Sequence, residues 1–244
     1  MEMTWHVLIY LAVLAAVSAG VQGLTGLGFA LVGMPFCTML VGPRDANVLW
    51  TLLAAVLLGY MTFRLRRHVL WRLVGWMFAG SLVGLPLGVA LLASAPRPVL
   101  LRILGVAIFV FALYYLVSPS VSKRDISRTW GIPAGAVSGF LGGLTNMSGP
   151  PVVIFLIMLG LDKNEIKGTL TFYFAATVLY KIPLLAGWEG LLTAEHAISG
   201  AMLAFPVLGG AMGGMVASRF LHTRTIRRAI CLLLLITAVS LLVR

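Results

Sequence analysis

The chain has 244 residues, of which 60% are hydrophobic and 10% charged, and its mean hydropathy is +1.03. This composition leaves too little polar surface to cover a soluble globule, so it excludes a water-soluble domain. The formal charge of +11 is typical of cytoplasmic loops that face anionic lipid, and we infer no nucleic-acid partner from it. The sequence predicts an all-α polytopic membrane protein.

The first apolar stretch, residues 5–41, is too long for a single crossing of a bilayer about 30 Å thick. It is interrupted by Gly23-Leu24-Thr25-Gly26-Leu27-Gly28. Candidate substrate-binding groups at this break are Gln22, Thr25 and the backbone of Gly26 and Gly28. Spanning helices are predicted after it over residues 50–63, with a start near 46, and over 73–95 and 100–117.

A second break interrupts the apolar stretch of residues 131–160, at Gly143-Leu144-Thr145-Asn146-Met147-Ser148-Gly149-Pro150-Pro151. Two prolines fit the first turn of a helix, so a half-helix is predicted to begin near Gly149, with Ser148 or Asn146 as its cap. Its free N–H groups and dipole would attract an oxyanion. The candidate binding residues here are Thr145, Asn146, Ser148 and Gly149, and spans follow over 169–187, 197–217 and 226–243.

The two breaks belong to an internal repeat. Residues 1–117 form one predicted repeat, residues 131–244 the other, and residues 118–130 a polar cytoplasmic connector. Gly84 and Gly88 of the first repeat correspond to Gly210 and Gly214 of the second. Interrupted helices at matching places in two halves are typical of transporters that bind substrate where the broken helices meet.

The positions of Lys and Arg decide between two topologies. If both broken stretches crossed the membrane, 8 basic residues would lie on one side and 9 on the other. If both re-enter, the division is 13 to 4. Because basic residues favour the cytoplasmic side, the sequence predicts two inverted repeats, each a broken or re-entrant helical hairpin plus three transmembrane helices, with both termini outside.

Lys181 is the one charged residue in the interior of a predicted span, away from its first turn. Tyr173, Thr177 and Lys181 are four residues apart and share a helix face, with Tyr180 alongside. An intramembrane ammonium would balance an anionic substrate, whereas a Lys only some seven residues from the end of the span at Trp188 could also snorkel to the interface. The polar stripe favours the first interpretation, and all four residues are candidate substrate-binding residues.

Other small and polar residues are predicted to be structural. Close helix packing is expected at two groups of glycines, namely Gly80, Gly84 and Gly88, and Gly209, Gly210, Gly213 and Gly214. His6, His196 and His222 lie at segment ends and are interpreted as interfacial side chains. Cys37 and Cys231 lack metal-ligand spacing, so no metal site is expected.

The glycine break at residues 23–28 with the later Pro35, the run Gly139 to Val153 and the tripeptide Lys167-Gly168-Thr169 together resemble the sulfite exporter TauE/SafE family of bacterial membrane permeases. The resemblance covers nearly the whole chain. It implies a multi-pass protein of the inner cell membrane that moves small sulfur-containing anions, such as sulfite, sulfonates or sulfoacetate, by secondary transport.

Two other functions stay open at this point. A passive anion channel would use the same helix dipoles. An intramembrane serine hydrolase with Ser148 as its nucleophile would need a His at similar depth, which no span clearly provides, so an enzyme is not expected. No cofactor is expected, and coupling of transport to H+ or Na+ is left open. The expected partners are a small anionic substrate and the lipid bilayer. A homodimer with a second copy of the chain is left open.

Overall fold

A computed structural model of the chain describes residues 5–117, 126–188 and 191–218. These ranges contain α-helices and no β-strand. The helices are α1 (Trp5–Thr25), α2 (Phe29–Val41), α3 (Pro43–Leu65), α4 (Trp71–Ser94), α5 (Arg97–Val117), α6 (Gly131–Thr145), α7 (Gly149–Met158), α8 (Lys163–Gly187) and α9 (Ala194–Ala217). The predicted span 226–243 and residues 118–125 of the predicted connector lie outside the described residues.

Five of the described helices, α1, α3, α4, α8 and α9, are long and apolar enough to cross a membrane. The helices extend beyond the predicted spans where a cap continues them into polar sequence. α8 starts six residues before the predicted residue 169, because Asp162 and Glu165 form a capping box in which Glu165 Oε2 accepts from the Asp162 N–H at 3.0 Å. Hydropathy therefore locates the apolar part of each helix and not its end.

The helices form two compact units that are not the two halves of the sequence. The first unit contains α1, α2, α3 up to Leu57, α5 and α9. The second contains the rest of α3 together with α4, α6, α7 and α8. Each unit thus combines a broken helix of one sequence half with a long helix of the other half.

In the first unit, α1 packs in parallel against α9 along a seam of small residues. A methyl group at Gly210 would lie 2.0 Å from Ala16 O, and one at Gly214 would lie 2.0 Å from Gly20 O. The residue numbers rise together on the two helices, so the helices run in the same direction. Such close backbone approach requires glycine and is how apolar helices associate in lipid.

In the second unit, α4 packs in parallel against α6 through glycines on both helices. A methyl group at Gly84 would lie 2.0 Å from Ala136 O, and one at Gly88 would lie 2.2 Å from Phe140 O. From the other side, a methyl group at Gly135 would lie 1.9 Å from Met77 O. The helix before each break is therefore fixed along its length to a long helix of the same unit.

The packing prediction for glycine holds at Gly80, Gly84, Gly88, Gly210 and Gly214, and fails at two positions. Methyl groups at Gly209 and Gly213 would meet no described atom within 4 Å. These two glycines lie on another face of α9, since residues one apart on a helix point about 100° apart. The small-residue spacing in the sequence identified a seam but not the side of the helix that uses it.

Candidate functional site

The first break lies between α1 and α2 and is held by its own side chains. The Gln22 amide donates from Nε2 to Gly26 O at 3.0 Å, and its Oε1 accepts from the Phe29 N–H at 3.1 Å. The Thr25 hydroxyl donates to Val21 O at 2.8 Å and accepts from the Leu27 N–H at 3.1 Å. The Gln22 and Thr25 side chains are thus engaged in shaping the break.

Glycine is required at this break by the backbone itself. Gly26 and Gly28 have φ of 81° and 140°, in the region that other residues rarely adopt. A methyl group at Gly28 would also lie 2.5 Å from Val21 Cγ1. Residues seven apart in a continuous helix are separated by about 10.5 Å along the axis, so this contact shows that the chain turns back after α1.

The second break lies between α6 and α7 and also reverses the chain. Asn146 ends α6 in the left-handed conformation, with φ of 61°, and its N–H donates to Gly142 O. The Ser138 hydroxyl donates to Ser148 O, although ten residues of continuous helix would separate them by about 15 Å. Ser148 precedes α7 as predicted, but its side chain makes no capping hydrogen bond, and Pro150 follows in the first turn.

Lys181 reaches this second break from α8. Its side chain is 2% exposed, and its Nζ donates to Gly142 O at 2.7 Å and to Asn146 Oδ1 at 2.8 Å. Its ammonium therefore sits at the carboxyl end of α6, where the helix dipole is negative. The snorkelling interpretation is wrong, because the side chain is enclosed by the break and does not extend to an interface.

A second contact between α8 and the break is made by Tyr173, two turns before Lys181. Tyr173 is fully buried, and its hydroxyl lies 2.7 Å from Ser81 Oγ and donates to Ser138 Oγ at 2.8 Å. Because Ser138 donates onward to Ser148 O, three hydroxyl groups link α4, α8 and α6 to the residue that begins the second half-helix. Ser81 and Ser138 were missed by the sequence analysis, since a buried serine in an apolar helix has no distinctive pattern.

Two residues of the predicted polar stripe make other contacts. The Thr177 hydroxyl donates to Phe174 O of its own helix at 3.0 Å. The Tyr180 hydroxyl lies on the exposed side and donates to Leu82 O at 3.4 Å. Of the predicted site residues, the structure thus brings Thr145, Asn146, Ser148 and Gly149 together with Tyr173 and Lys181 in one unit, while Gln22, Thr25, Gly26 and Gly28 belong to the other.

His196 is not the interfacial side chain that its position suggested. It is 5% exposed, and its Nδ1 accepts from the Thr193 N–H at 3.3 Å and lies 2.7 Å from Thr193 Oγ1. Its Nε2 lies 3.5 Å from Asp45 Oδ1. The pair joins the start of α9 to the start of α3, a contact between residues distant in sequence that no local pattern indicated. His6 is exposed as expected, and His222 lies outside the described residues.

The described residues form apolar helices of membrane-spanning length, and the chain reverses at two glycine-containing breaks. One of these breaks encloses a buried ammonium. Together these features define a helical membrane protein with two broken helices. The model of the sulfite exporter TauE/SafE family matches residues 10–241. The chain belongs to this family, and the resemblance read from its two breaks is confirmed.

A curated relative from Cupriavidus necator, a probable sulfite/organosulfonate exporter TauE, is 27% identical over 146 residues. The alignment covers 58% of this chain and 56% of the relative, so the chain matches little more than half of that protein's length. No solved structure matches the chain.

Proposed function

We propose that this protein is a secondary transporter of small sulfur-containing oxyanions or organosulfonates, which bind at the second break. The observation that carries the proposal is the fully enclosed ammonium of Lys181 at that break. Support for the substrate class comes from the family and from the name of the curated relative.

The two hydrogen bonds that Lys181 makes in the part of the chain that the structure describes go to dipoles and not to a carboxylate. Its two hydrogen-bond partners, Gly142 O and Asn146 Oδ1, are uncharged. The carboxylates of Asp162 and Glu165 lie 19 and 16 residues earlier on the same helix, which places them roughly 24–28 Å away along the axis. A buried charge is costly without a counter-charge, and a substrate anion would supply one.

The ammonium also has donor capacity to spare. A lysine carries three N–H donors, and two of them are engaged at Gly142 O and Asn146 Oδ1. The third is available to an oxyanion. α7 begins three residues after Asn146 with Gly149, whose N–H has no acceptor within that helix because it belongs to the first residue.

The second break therefore offers a cationic donor and a backbone donor, with Asn146 and Ser148 in the same break. The Thr145 hydroxyl donates to Leu141 O at 2.8 Å, as Thr25 does to Val21 O in the first break, and we assign it the same shaping role. We assign Gln22 and Thr25 the role of shaping the first break, since both already bond within it. Thr177 and Tyr180 stand further from the proposed site, because their hydroxyls bond to other backbone carbonyls.

The proposal includes two inverted repeats with re-entrant hairpins in the inner membrane. Support comes from the reversal of the chain at both breaks and from the similar pairings of α1 with α9 and of α4 with α6. With 15 residues, α6 of the second hairpin is about 22 Å long, which is shorter than the roughly 30 Å hydrocarbon core. The 21 residues of α1 in the first hairpin reach about 31 Å, so the length argument applies to the second hairpin alone. Coupling to H+ or Na+ belongs to the same proposal.

The test is transport by the purified protein in proteoliposomes, with sulfite, thiosulfate, methanesulfonate and acetate as the panel. Saturable flux of the sulfur anions, driven uphill by an imposed H+ or Na+ gradient, is the expected result. Flux that only runs downhill under every gradient would indicate a passive channel. Absence of flux for every sulfur anion, with protein inserted and folded, would refute the proposed substrate class.

The break residues give a second test of the same proposal. Asn146→Ala and Ser148→Ala are each expected to weaken binding by about 1–3 kcal/mol, the cost of a lost hydrogen bond to a charged group. Ser94→Ala is the matched control, since the exposed Ser94 hydroxyl bonds to Ala90 O of its own helix. Parent-like binding by both break variants would make the break a purely structural feature.

A further inference from the structure

Two of the three buried hydroxyls behind the second break, those of Tyr173 and Ser138, donate their hydrogen bonds in a fixed direction. Each hydroxyl has one hydrogen to donate, and a carbonyl oxygen only accepts. Because Ser138 donates to Ser148 O, it must accept from the Tyr173 hydroxyl. Ser81 Oγ lies 2.7 Å from the Tyr173 oxygen and also 3.0 Å from Met77 O and from Gly135 O, so its one hydrogen has three acceptors within reach. The directed chain of hydrogen bonds runs from Tyr173 through Ser138 and ends at the Ser148 carbonyl.

The end point of this chain determines the orientation of one peptide group. In a trans peptide the C=O and the following N–H point in opposite directions. The Ser148 carbonyl is directed towards Ser138 on α6, so the N–H of Gly149 points away from α6. If this peptide flipped, a carbonyl dipole would replace the N–H and would repel an anion.

The orientation of this peptide matters more here than at an ordinary helix start. The first turn of α7 contains Pro150 and Pro151, which have no N–H to donate. Most helix starts present several unpaired N–H groups to an anion, whereas here the two prolines remove two of them and Gly149 supplies one of those that remain. The Ser148–Gly149 peptide thus carries one of the few backbone donors that this helix start can offer.

We propose that Ser138 and Tyr173 are positioning residues that hold the Ser148–Gly149 peptide with its N–H directed to the substrate anion. This inference rests on the proposed function and assigns these two side chains an effect on affinity without contact to the anion. Tyr173 thereby becomes a residue that acts through Ser138 and not one that touches the substrate.

The experiment measures that peptide directly in protein reconstituted in nanodiscs. Labelling with 13C at the serine carbonyl and 15N at glycine gives signals from the Ser–Gly peptides 138–139, 148–149 and 199–200. In the parent, the 148–149 signal is expected to shift on titration with sulfite, with a saturable Kd. Ser138→Ala removes the 138–139 signal, which also helps assignment, and is expected to shift the 148–149 signal before any sulfite is added.

Both Ser138→Ala and Tyr173→Phe are expected to raise the Kd for sulfite about tenfold, as for one lost hydrogen bond. Tyr173→Phe keeps the ring and removes a single oxygen, so it remains informative if the alanine variant fails to fold. The matched controls are Ser94→Ala and Tyr60→Phe; the Tyr60 ring lies 5.9 Å from the Arg64 guanidinium carbon. Both controls are expected to keep the parent Kd.

Two results would overturn the inference, and they are distinguishable. If the parent binds sulfite and both variants bind it equally well, the positioning role is wrong and the proposed function stands. If the 148–149 signal of the parent stays fixed at saturating sulfite and methanesulfonate, the proposed site is wrong, and the positioning role falls with it.

Discussion

Replacing Lys181 with Met separates the charge of this side chain from its bulk. Met fills a similar volume, so the packing of α8 against the break is preserved. The substitution removes the two hydrogen bonds to Gly142 O and Asn146 Oδ1. Gly142 O keeps the hydrogen bond from the Asn146 N–H at 3.1 Å, so the carboxyl end of α6 is not left without a donor.

The expected effects on folding and on binding differ strongly. Two charge-assisted hydrogen bonds contribute about 1.5–3 kcal/mol each, and the desolvation of a buried ammonium costs several kcal/mol. These contributions largely cancel, so we expect the free energy of unfolding to change by less than about 2 kcal/mol. An anion 4 Å from the ammonium gains about 4 kcal/mol at an effective dielectric constant of 20, so loss of the charge should raise the Kd by about a thousandfold.

The assay combines sulfite flux in proteoliposomes, sulfite binding in detergent and thermal unfolding of the same preparations. Lys181→Met should unfold near the parent temperature and lose most transport, and Lys181→Arg should also transport poorly because a planar fork presents its donors differently. The control is Lys163→Met, which removes an exposed charge from the first turn of the same helix. Parent-like transport by Lys181→Met at normal expression would refute the reasoning and remove Lys181 from the site.

Two further predictions concern topology and packing. In a variant without native cysteines, Arg128→Cys and Lys163→Cys should both react only from the cytoplasm if the hairpin of α6 and α7 re-enters; reaction from opposite sides would show that this segment crosses. Gly84→Ala should lower the free energy of unfolding by more than about 2 kcal/mol, since its methyl group would lie 2.0 Å from Ala136 O. Gly75→Ala, in open space on the same helix, should stabilise the protein by up to about 1 kcal/mol. Equal effects of Gly84→Ala and Gly75→Ala on thermal unfolding would contradict the glycine contact between α4 and α6.

The class of protein and the places where its helices break follow from local features of the sequence. Apolar runs of sufficient length predict spans, and the spans predicted in α3, α4, α8 and α9 coincide with helices that are long and apolar enough to cross a membrane. The first of these helices starts at Pro43 and not near residue 46. Gly26 and Gly28 interrupt a helix because they adopt positive φ. The start of α7 at Gly149 follows from the two prolines behind it.

The repeats over residues 1–117 and 131–244 remain a prediction, and the structure adds that each compact unit takes helices from both halves. Hydropathy could not show this, because lipid-facing and protein-facing sides of a membrane helix are both apolar. Both faces of α9 carry glycines in an apolar sequence, so only the position of the partner helix α1 shows that Gly210 lies on the packed face and Gly209 does not.

The hydrogen-bond partners that lie far away in the sequence could be identified from the tertiary structure alone. Lys181 meets Asn146 across 35 residues, and Tyr173 meets Ser81 across 92. The sequence showed that a charge and a tyrosine share one face of α8, and it left open whether they faced lipid, an interface or a break. Burial resolves this question, because a polar side chain enclosed among apolar helices must take its hydrogen bonds from whichever groups the packing brings next to it.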